Sequence, residues 1–350
     1  MKTKPASTTM REVALEAGVS IAAVSKVLHG KGKNIRISED RAEEIRAAAK
    51  KLRYRPNALA RSLRMSRTHT VGLIWENMAE IGDGPLYYVH LLDGVASELF
   101  RKHYRLTILP EIPHLATINS LNDGRLDGVI WCKMPDTISI REELEHAPLQ
   151  VVGLNAPIPN HHLCPCVSCD NEGGSGLVVD HLVELGHKHV LFVIDRGSED
   201  TPDAMARLNG FEEAMRRHGL EPSVAYWDKH DPEVGEWLAT EPKETAIFAW
   251  YEGLAGRIMA GAQAAGLEIP RDLSVVGFDS TLYCDSVTPR LTAVKQPIKE
   301  MAQTAARIVL DLIEGHPLER NSYVFACTLD VRESTSSPAL SGHRLSKKRN

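Results

Sequence analysis

The chain has 350 residues, 43% of them apolar and 25% charged. That is more than one small domain needs and an ordinary composition for a globular protein with a sizeable core. No run of about 18 consecutive apolar residues occurs, which excludes a helical membrane span. The polar stretch 1–9 has no apolar segment of the export type, so the expected location is cytoplasmic and the 6 cysteines are expected to be reduced thiols. Charge is uneven: residues 1–67 carry 16 Lys and Arg against 6 Asp and Glu, and the rest carries 25 against 40. A basic head on an acidic body fits a phosphate-binding module joined to a separate domain, although a solvated basic helical surface would give the same count.

In chain order, Thr9-Met10-Arg11-Glu12 reads as a capping box, in which the Thr9 hydroxyl caps the amide three residues on and Glu12 reaches back. Met10, Val13, Ala14 and Ala17 follow at helical spacing, and Gly18 ends the helix in the left-handed conformation that glycine tolerates. Ser20 caps a second short helix. Val24, Val27 and Leu28 form its apolar stripe, which leaves Ile21, Ala22, Ser25 and Lys26 on the other face. A third helix starts at Ser38, has Glu39 and Asp40 in its first turn, and is expected to bury Ala42, Ile45, Ala49 and Leu52. Helix, glycine-containing turn, helix and supporting helix make up the helix-turn-helix arrangement. A ligand-free three-helix bundle has the same pattern. The next segment, 54–64 (YRPNALARSLR), is basic, has Leu59 and Leu63 one turn apart, and is too short to be helical alone. It suits ordering on minor-groove DNA, or a plain linker.

From residue 70 onward short apolar runs at 71–75, 106–109, 129–131, 151–154, 190–194, 246–249 and 274–278 alternate with helical patterns at 86–103, 172–186, 204–219, 252–266 and 297–315. That rhythm predicts βαβ units, and about 260 residues suffice for two parallel sheets. A ligand is then expected beyond the C-terminal ends of the strands. Asp279, directly after Val275-Val276-Gly277-Phe278, has its carboxylate at that mouth.

Residues 9–28 (TMREVALEAGVSIAAVSKVL), 54–63 (YRPNALARSL), 170–186 (DNEGGSGLVVDHLVELG) and 274–279 (SVVGFD) together resemble the lactose repressor (LacI/GalR) family, collinearly from about residue 9 to 335. The resemblance implies an α-helical helix-turn-helix headpiece followed by an α/β two-lobed periplasmic-binding-protein-like domain with Rossmann-like parallel sheets. The expected boundaries are 1–53 for the DNA-binding domain, 54–69 for a hinge helix and linker, and 70–335 for an effector-binding and dimerisation domain. Lobe one would be about 70–169 and 295–322, lobe two about 170–294 and 323–335, and 336–350 a disordered tail.

By the same resemblance Thr9, Ser20, Ser25 and Asn57 hold phosphates, Ile21, Ala22 and Lys26 read bases, and Ala60 and Leu63 belong to the hinge, with Leu63 wedged into the centre of a palindromic operator. The stretch 30–37 is about three residues longer than the family's turn, and adds Lys31, Lys33 and Arg36 as phosphate contacts. Arg207 matches the family's effector-binding arginine, Asn155 falls where the family has a pocket aspartate, and Tyr87 and Tyr88 fall near an aromatic pair. Trp250-Tyr251-Glu252 replace the family's Ala-Asn-Asp, and their rings offer a face for sugar stacking. An arginine and a carboxylate facing one small ligand suit a sugar, whose hydroxyls both donate and accept. An interlobe salt bridge is the plain alternative.

The stretch His161-His162-Leu163-Cys164-Pro165-Cys166-Val167-Ser168-Cys169 resembles a metal cluster. In a strand Cys166 and Cys169 point to opposite faces, so a CxxC knuckle is unavailable and buried thiols are expected, with no metal. Gly173-Gly174-Ser175-Gly176 lacks the spacing of a nucleotide loop and reads as a helix start. The whole describes a transcription regulator, repressor or activator, that is a homodimer on double-stranded DNA, binds a small effector, uses no cofactor and is not an enzyme. A solute-binding transport component and a sugar or thiol enzyme are the competing classes. The basic head opposes the first, and the absence of a paired catalytic signature opposes the second.

Overall fold

The structure is a computed structural model that describes residues 8–29, 36–55, 67–75, 86–110, 121, 123–134, 137–147, 149–155, 162–228, 230 and 232–339. It divides into two compact units, Met1–Thr68 and His69–Asn350.

The first unit holds α1 (Met10–Glu16), α2 (Ile21–His29) and α3 (Glu39–Lys51). The capping box forms as expected: the Thr9 hydroxyl accepts from the Glu12 amide and the Glu12 carboxylate accepts from the Thr9 amide. That bonding holds the Glu12 carboxyl below its ordinary range. Gly18 turns the chain with φ +62°, the conformation that leaves a side chain strained. Ser20 caps α2 by accepting from the Ala23 amide at 3.2 Å, and Ser38 caps α3 by accepting from the Arg41 amide at 3.4 Å. Val13, Ala14, Val24, Ile45, Ala48 and Ala49 form the core, with Met10, Ala17, Val27, Leu28 and Leu52 packed around it. Ala48, not expected, is buried, and Leu52 is only half-buried.

In the second unit β1 (Thr70–Trp75), α4 (Leu86–Arg101), β2 (Arg105–Pro110), β3 (Gly128–Cys132), α5 (Ile138–Glu145), β4 (Gln150–Leu154) and β5 (Cys166–Cys169) lead into α6 (Asn171–Glu184). Then follow β6 (Val190–Asp195), α7 (Pro202–Arg217), β7 (Ser223–Trp227), α8 (Val234–Ala239), β8 (Ala246–Ala249), α9 (Glu252–Ala264) and β9 (Ser274–Asp279). Last are α10 (Tyr283–Ser286), β10 (Thr292–Lys295), α11 (Ile298–Glu314), β11 (Ser322–Phe325) and β12 (Thr328–Asp330). The strands form two sheets, ordered β11-β5-β4-β3-β1-β2 and β12-β10-β9-β8-β6-β7. The described pairings are parallel except β10 with β12. The central strands are apolar without alternation because helices cover both faces.

The chain passes between the sheets three times: at Asp170 between β5 and α6, at Gln296-Pro297 between β10 and α11, and at Ala326-Cys327 between β11 and β12. The first lobe therefore reaches 325, beyond the expected 322, because β11 pairs in parallel with β5. The tail needs a correction at its start. Ser336 was expected to be disordered, yet its amide donates to Ser274 Oγ at 3.1 Å and its carbonyl lies 2.9 Å from the buried His187 ring. Those buried polar groups need partners, and the segment after Arg332 supplies them.

Candidate functional site

On the first unit the exposed side of α2 carries Ser20, Ile21 and Ala22, with Ile21 47% accessible. Ser25 and Lys26 are half-buried, less open than the helical spacing implied. Thr9 and Arg36 are exposed. Lys31, Asn57, Ala60 and Leu63 lie outside the described residues.

The second unit gathers several polar and aromatic groups where strands end. Lys133 follows β3, Asn155 follows β4, Trp250 follows β8 and Asp279 ends β9. Lys133, Asn155 and Asp279 have φ of 55°, 51° and 98°, a conformation that costs energy outside glycine and that concentrates at working sites. Arg207, on α7, is 2% exposed. Its Nε donates to Asn171 Oδ1 at 2.9 Å and its Nη1 to the Trp250 carbonyl at 2.6 Å. The guanidinium stands 3.5 Å from Asp279 and lies on the Phe278 ring at 3.6 Å. It reaches this place because Gly210, one turn on, lets α7 touch α6: a Cβ there would meet the Glu172 backbone at 2.4 Å.

A second ion pair joins the lobes, Lys133 of the first to Asp203 of the second at 3.2 Å. Burial works against ionisation of Asp203, but Lys133 and Arg207 outweigh it and its carboxyl lies below the ordinary value. In Asp279 burial wins over the same arginine, and the carboxyl is raised; Gln296 Nε2 donates to it at 2.7 Å. Behind them Glu252, buried and beside Asp279, is pushed up to about 7 while accepting from the Thr281 amide at 2.8 Å.

Tyr87 and Asn155 are hydrogen-bonded to each other. The Tyr87 hydroxyl is raised by burial first and then by Cys132, Asp203 and Asp279, which puts it within electrostatic range of the opposite lobe. Tyr88 packs on Trp75 with ring centres 5.0 Å apart. Trp250 donates to Asp195, and its ring has Lys133 at 5.3 Å and Arg207 at 5.6 Å. Its face is thus used by protein cations rather than left for a sugar. Tyr251 turns toward Arg257 on α9, which donates to its hydroxyl.

The structure therefore brings Arg207, Asp279 and Trp250 together, sets Tyr87 and Asn155 beside them, and adds Lys133, Asp203, Asn171 and Gln296, which the sequence reading missed. Lys133 obeys the strand-end rule that located Asp279, and Asp203 lies four residues before Arg207 on one helix face. Asn171 stood within a quoted motif; Gln296 had no local signal. Three buried acceptors here, Asn155 Oδ1, Asp203 Oδ1 and Gln296 Oε1, have no hydrogen-bond partner among the described residues. A separate cavity of about 370 Å³, lined by Leu144, Leu149, Leu163, Leu312 and Leu318 among others, lies at the opposite ends of β4 and β5, away from these charges.

Among the described residues no group of three or more His, Cys, Asp and Glu is placed to hold a metal; His161 lies outside them. Cys164, Cys166 and Cys169 are buried, with Cys164 and Cys166 in one apolar cluster and Cys169 in another, as opposite strand faces require. No helix among the described residues is long and apolar enough to cross a membrane.

Residues 9–57 match the model of the bacterial regulatory proteins of the lacI family, and residues 179–335 match the periplasmic binding protein-like domain. The transcriptional regulator GalR of Escherichia coli is 30% identical over 345 residues, covering 95% of this chain and 97% of that protein. Among solved structures, a complex of the regulator CelR with cellobiose has 28% identity and a TM-score of 0.68, covering 93% of this chain and 99% of that one. A lac repressor dimer bound to operator and an anti-inducer has 22% identity and a TM-score of 0.80, covering 95% and 100%, a likeness of fold.

Proposed function

The chain belongs to the lacI family of bacterial regulatory proteins, and from that premise we propose that it is a dimeric repressor whose hold on an operator is set by a neutral polyhydroxyl ligand between its lobes. The three partnerless acceptors carry this reading. Asn155 Oδ1, Asp203 Oδ1 and Gln296 Oε1 are buried, and a buried acceptor without a donor costs about 1–3 kcal/mol. Several hydroxyls on one small molecule satisfy them together. Lys133 and Arg207 are already paired with Asp203 and Asp279, so an anionic ligand would compete with both pairs and face bare acceptors. The sugar in the CelR complex has the proposed chemistry.

In the head, Ile21, Ala22 and Lys26 would read base edges while Thr9, Ser20, Ser25, Lys31, Arg36 and Asn57 hold phosphates. Ala60 and Leu63 would enter the minor groove as a paired hinge. A two-fold dimer would match a palindromic operator; the lac repressor, of similar fold, is a dimer bound to operator. Lys133 and Asp203 close one lobe arrangement; a ligand that prefers one arrangement shifts the equilibrium by its difference in affinity and so alters DNA binding.

Thermal melting of the full chain against neutral mono- and disaccharides, cellobiose included, tests the ligand class. Saturation at 100 times Kd stabilises by about 2.7 kcal/mol, roughly 5–10 °C for a body of this size. A melt moved only by phosphorylated or carboxylated compounds would overturn the assignment.

A further inference from the structure

Lys133 stands directly after β3 in the first lobe, and its side chain is 11% exposed. Its backbone is left-handed at φ 55°, and its amide donates to the Leu154 carbonyl of β4 at 2.7 Å. A non-glycine residue in that conformation costs energy that the surrounding fold must offset. The ammonium crosses to the second lobe, where it lies 3.2 Å from Asp203 Oδ2 and 5.3 Å from the centre of the Trp250 ring. Asp203 is in the first turn of α7, and Trp250 directly follows β8. An ammonium taken out of water needs compensating partners, and the carboxylate and ring that meet it here both belong to the other lobe. These contacts therefore draw the lobes together with no ligand between them. Arg207 also faces the ring, at 5.6 Å, but it belongs to the same lobe as Trp250.

We propose that Lys133 is a tethered occupant of the crevice, an autoinhibitory contact that closes the empty lobes and that the ligand must displace. The inference rests on the reading of a neutral polyhydroxyl ligand between the lobes, and says how that site is regulated. A sugar ring would stack on the face of Trp250 that the ammonium covers, and a hydroxyl would donate to the Asp203 oxygen that the ammonium holds. Ligand and ammonium cannot occupy these places together, so binding is an exchange. Hydroxyls take over Asp203, the ammonium turns out to water, and the bridge between the lobes is cut. Lys133 thereby sets affinity, because every ligand competes with a side chain whose effective concentration is fixed by its tether.

The test begins with the ligand-free full chain and acetic anhydride, so its first arms need neither ligand nor operator. Lys299, which pairs with Asp93 at 2.7 Å and is half-exposed, is the internal reference, since an ion pair on the surface holds its ammonium weakly. Peptide mapping should show Lys133 acetylated several-fold more slowly than Lys299. Asp203→Asn should raise the Lys133 rate and leave Lys299 unchanged. In Lys133→Met, amide exchange should quicken at 203–207 and 249–251 in the second lobe as well as at 131–134. Exchanging the charges, Lys133→Asp with Asp203→Lys, should slow it again, which a lysine that merely fills space would not allow. Cellobiose and the other neutral sugars of the melting test supply the last arm: any that binds wild type should bind Lys133→Met several-fold more tightly. Equal labelling of Lys133 and Lys299, or faster exchange confined to 131–134, would overturn the latch. Equal or weaker sugar binding by Lys133→Met would overturn the competition. Absence of sugar binding by wild type would sink the ligand assignment and the competition with it, while labelling and exchange still decide the latch.

Discussion

Replacing Arg207 by methionine removes the charge that organises the crevice while keeping most of the side-chain volume. The variant loses the bonds to Asn171 and the Trp250 carbonyl and the 3.5 Å approach to Asp279. Stripping one partner from a buried pair costs about 3–5 kcal/mol, and methionine keeps only the apolar contact with Phe278. Asp279, already raised by burial against the pull of Arg207, rises further. A carboxyl raised in the folded state is stabilising below its unfolded pKa and loses that contribution as pH climbs through the folded value. The deficit of Arg207→Met should therefore be larger at pH 8 than at pH 5. Adding Asp279→Asn removes the stranded carboxylate and should recover about 2 kcal/mol, a coupling expected of groups in contact. Urea unfolding followed by tryptophan fluorescence reads this cleanly, because all 5 tryptophans, at 75, 131, 227, 237 and 250, lie in the second unit. A single-variant cost below about 1 kcal/mol, or strict additivity in the double variant, would refute the argument.

Other outcomes follow from single residues. Gly210→Ala puts a Cβ 2.4 Å from the Glu172 backbone and should destabilise the second unit by about 1–3 kcal/mol while displacing Arg207; unfolding curves that match wild type would contradict the close approach of α7 to α6. Glu252, raised from 4.5 to about 7, should withdraw on the order of 3 kcal/mol of stability as pH rises through that interval; Glu252→Gln should flatten this slope, and an unchanged pH profile would argue against it. Ile21→Ala, at an exposed α2 position, should shift the head's stability by less than about 0.5 kcal/mol yet cost about 1–3 kcal/mol on the operator; equal losses on operator and random DNA in titrations would deny Ile21 a reading role.

The elements most legible in the sequence were those whose local chemistry and burial agree. Thr9, Gly18, Ser20 and Ser38 announced the helix ends, and the runs at 71–75, 190–194 and 274–278 announced central strands, because both faces of those strands are covered. Other edge elements were silent, although the run at 106–109 announced the edge strand β2. Ser223–Trp227 and Ser322–Phe325 are partly exposed and mix polar with apolar residues, and Val234–Ala239 is too short to show a period. In the crevice Arg207 and Asp279 could be named from motif and strand end. Gln296 could not, since it is brought to Asp279 only by the second crossing between lobes. Trp250 was legible as a strand-end aromatic, but its occupation by Lys133 and Arg207 depends on residues far away in sequence. Ser336 was misread because its anchor, His187, is 149 positions distant.

The central claim, that the basic head gives this chain sequence-specific hold on DNA, is tested most directly by selecting bound fragments from a random double-stranded library with the full chain and, in parallel, with residues 69–350. The full chain should enrich one palindromic sequence, with log affinity falling steeply against log salt as phosphate contacts require, and the shorter chain should enrich nothing. Equal enrichment of the same site by residues 69–350, or no enrichment by either, would contradict it.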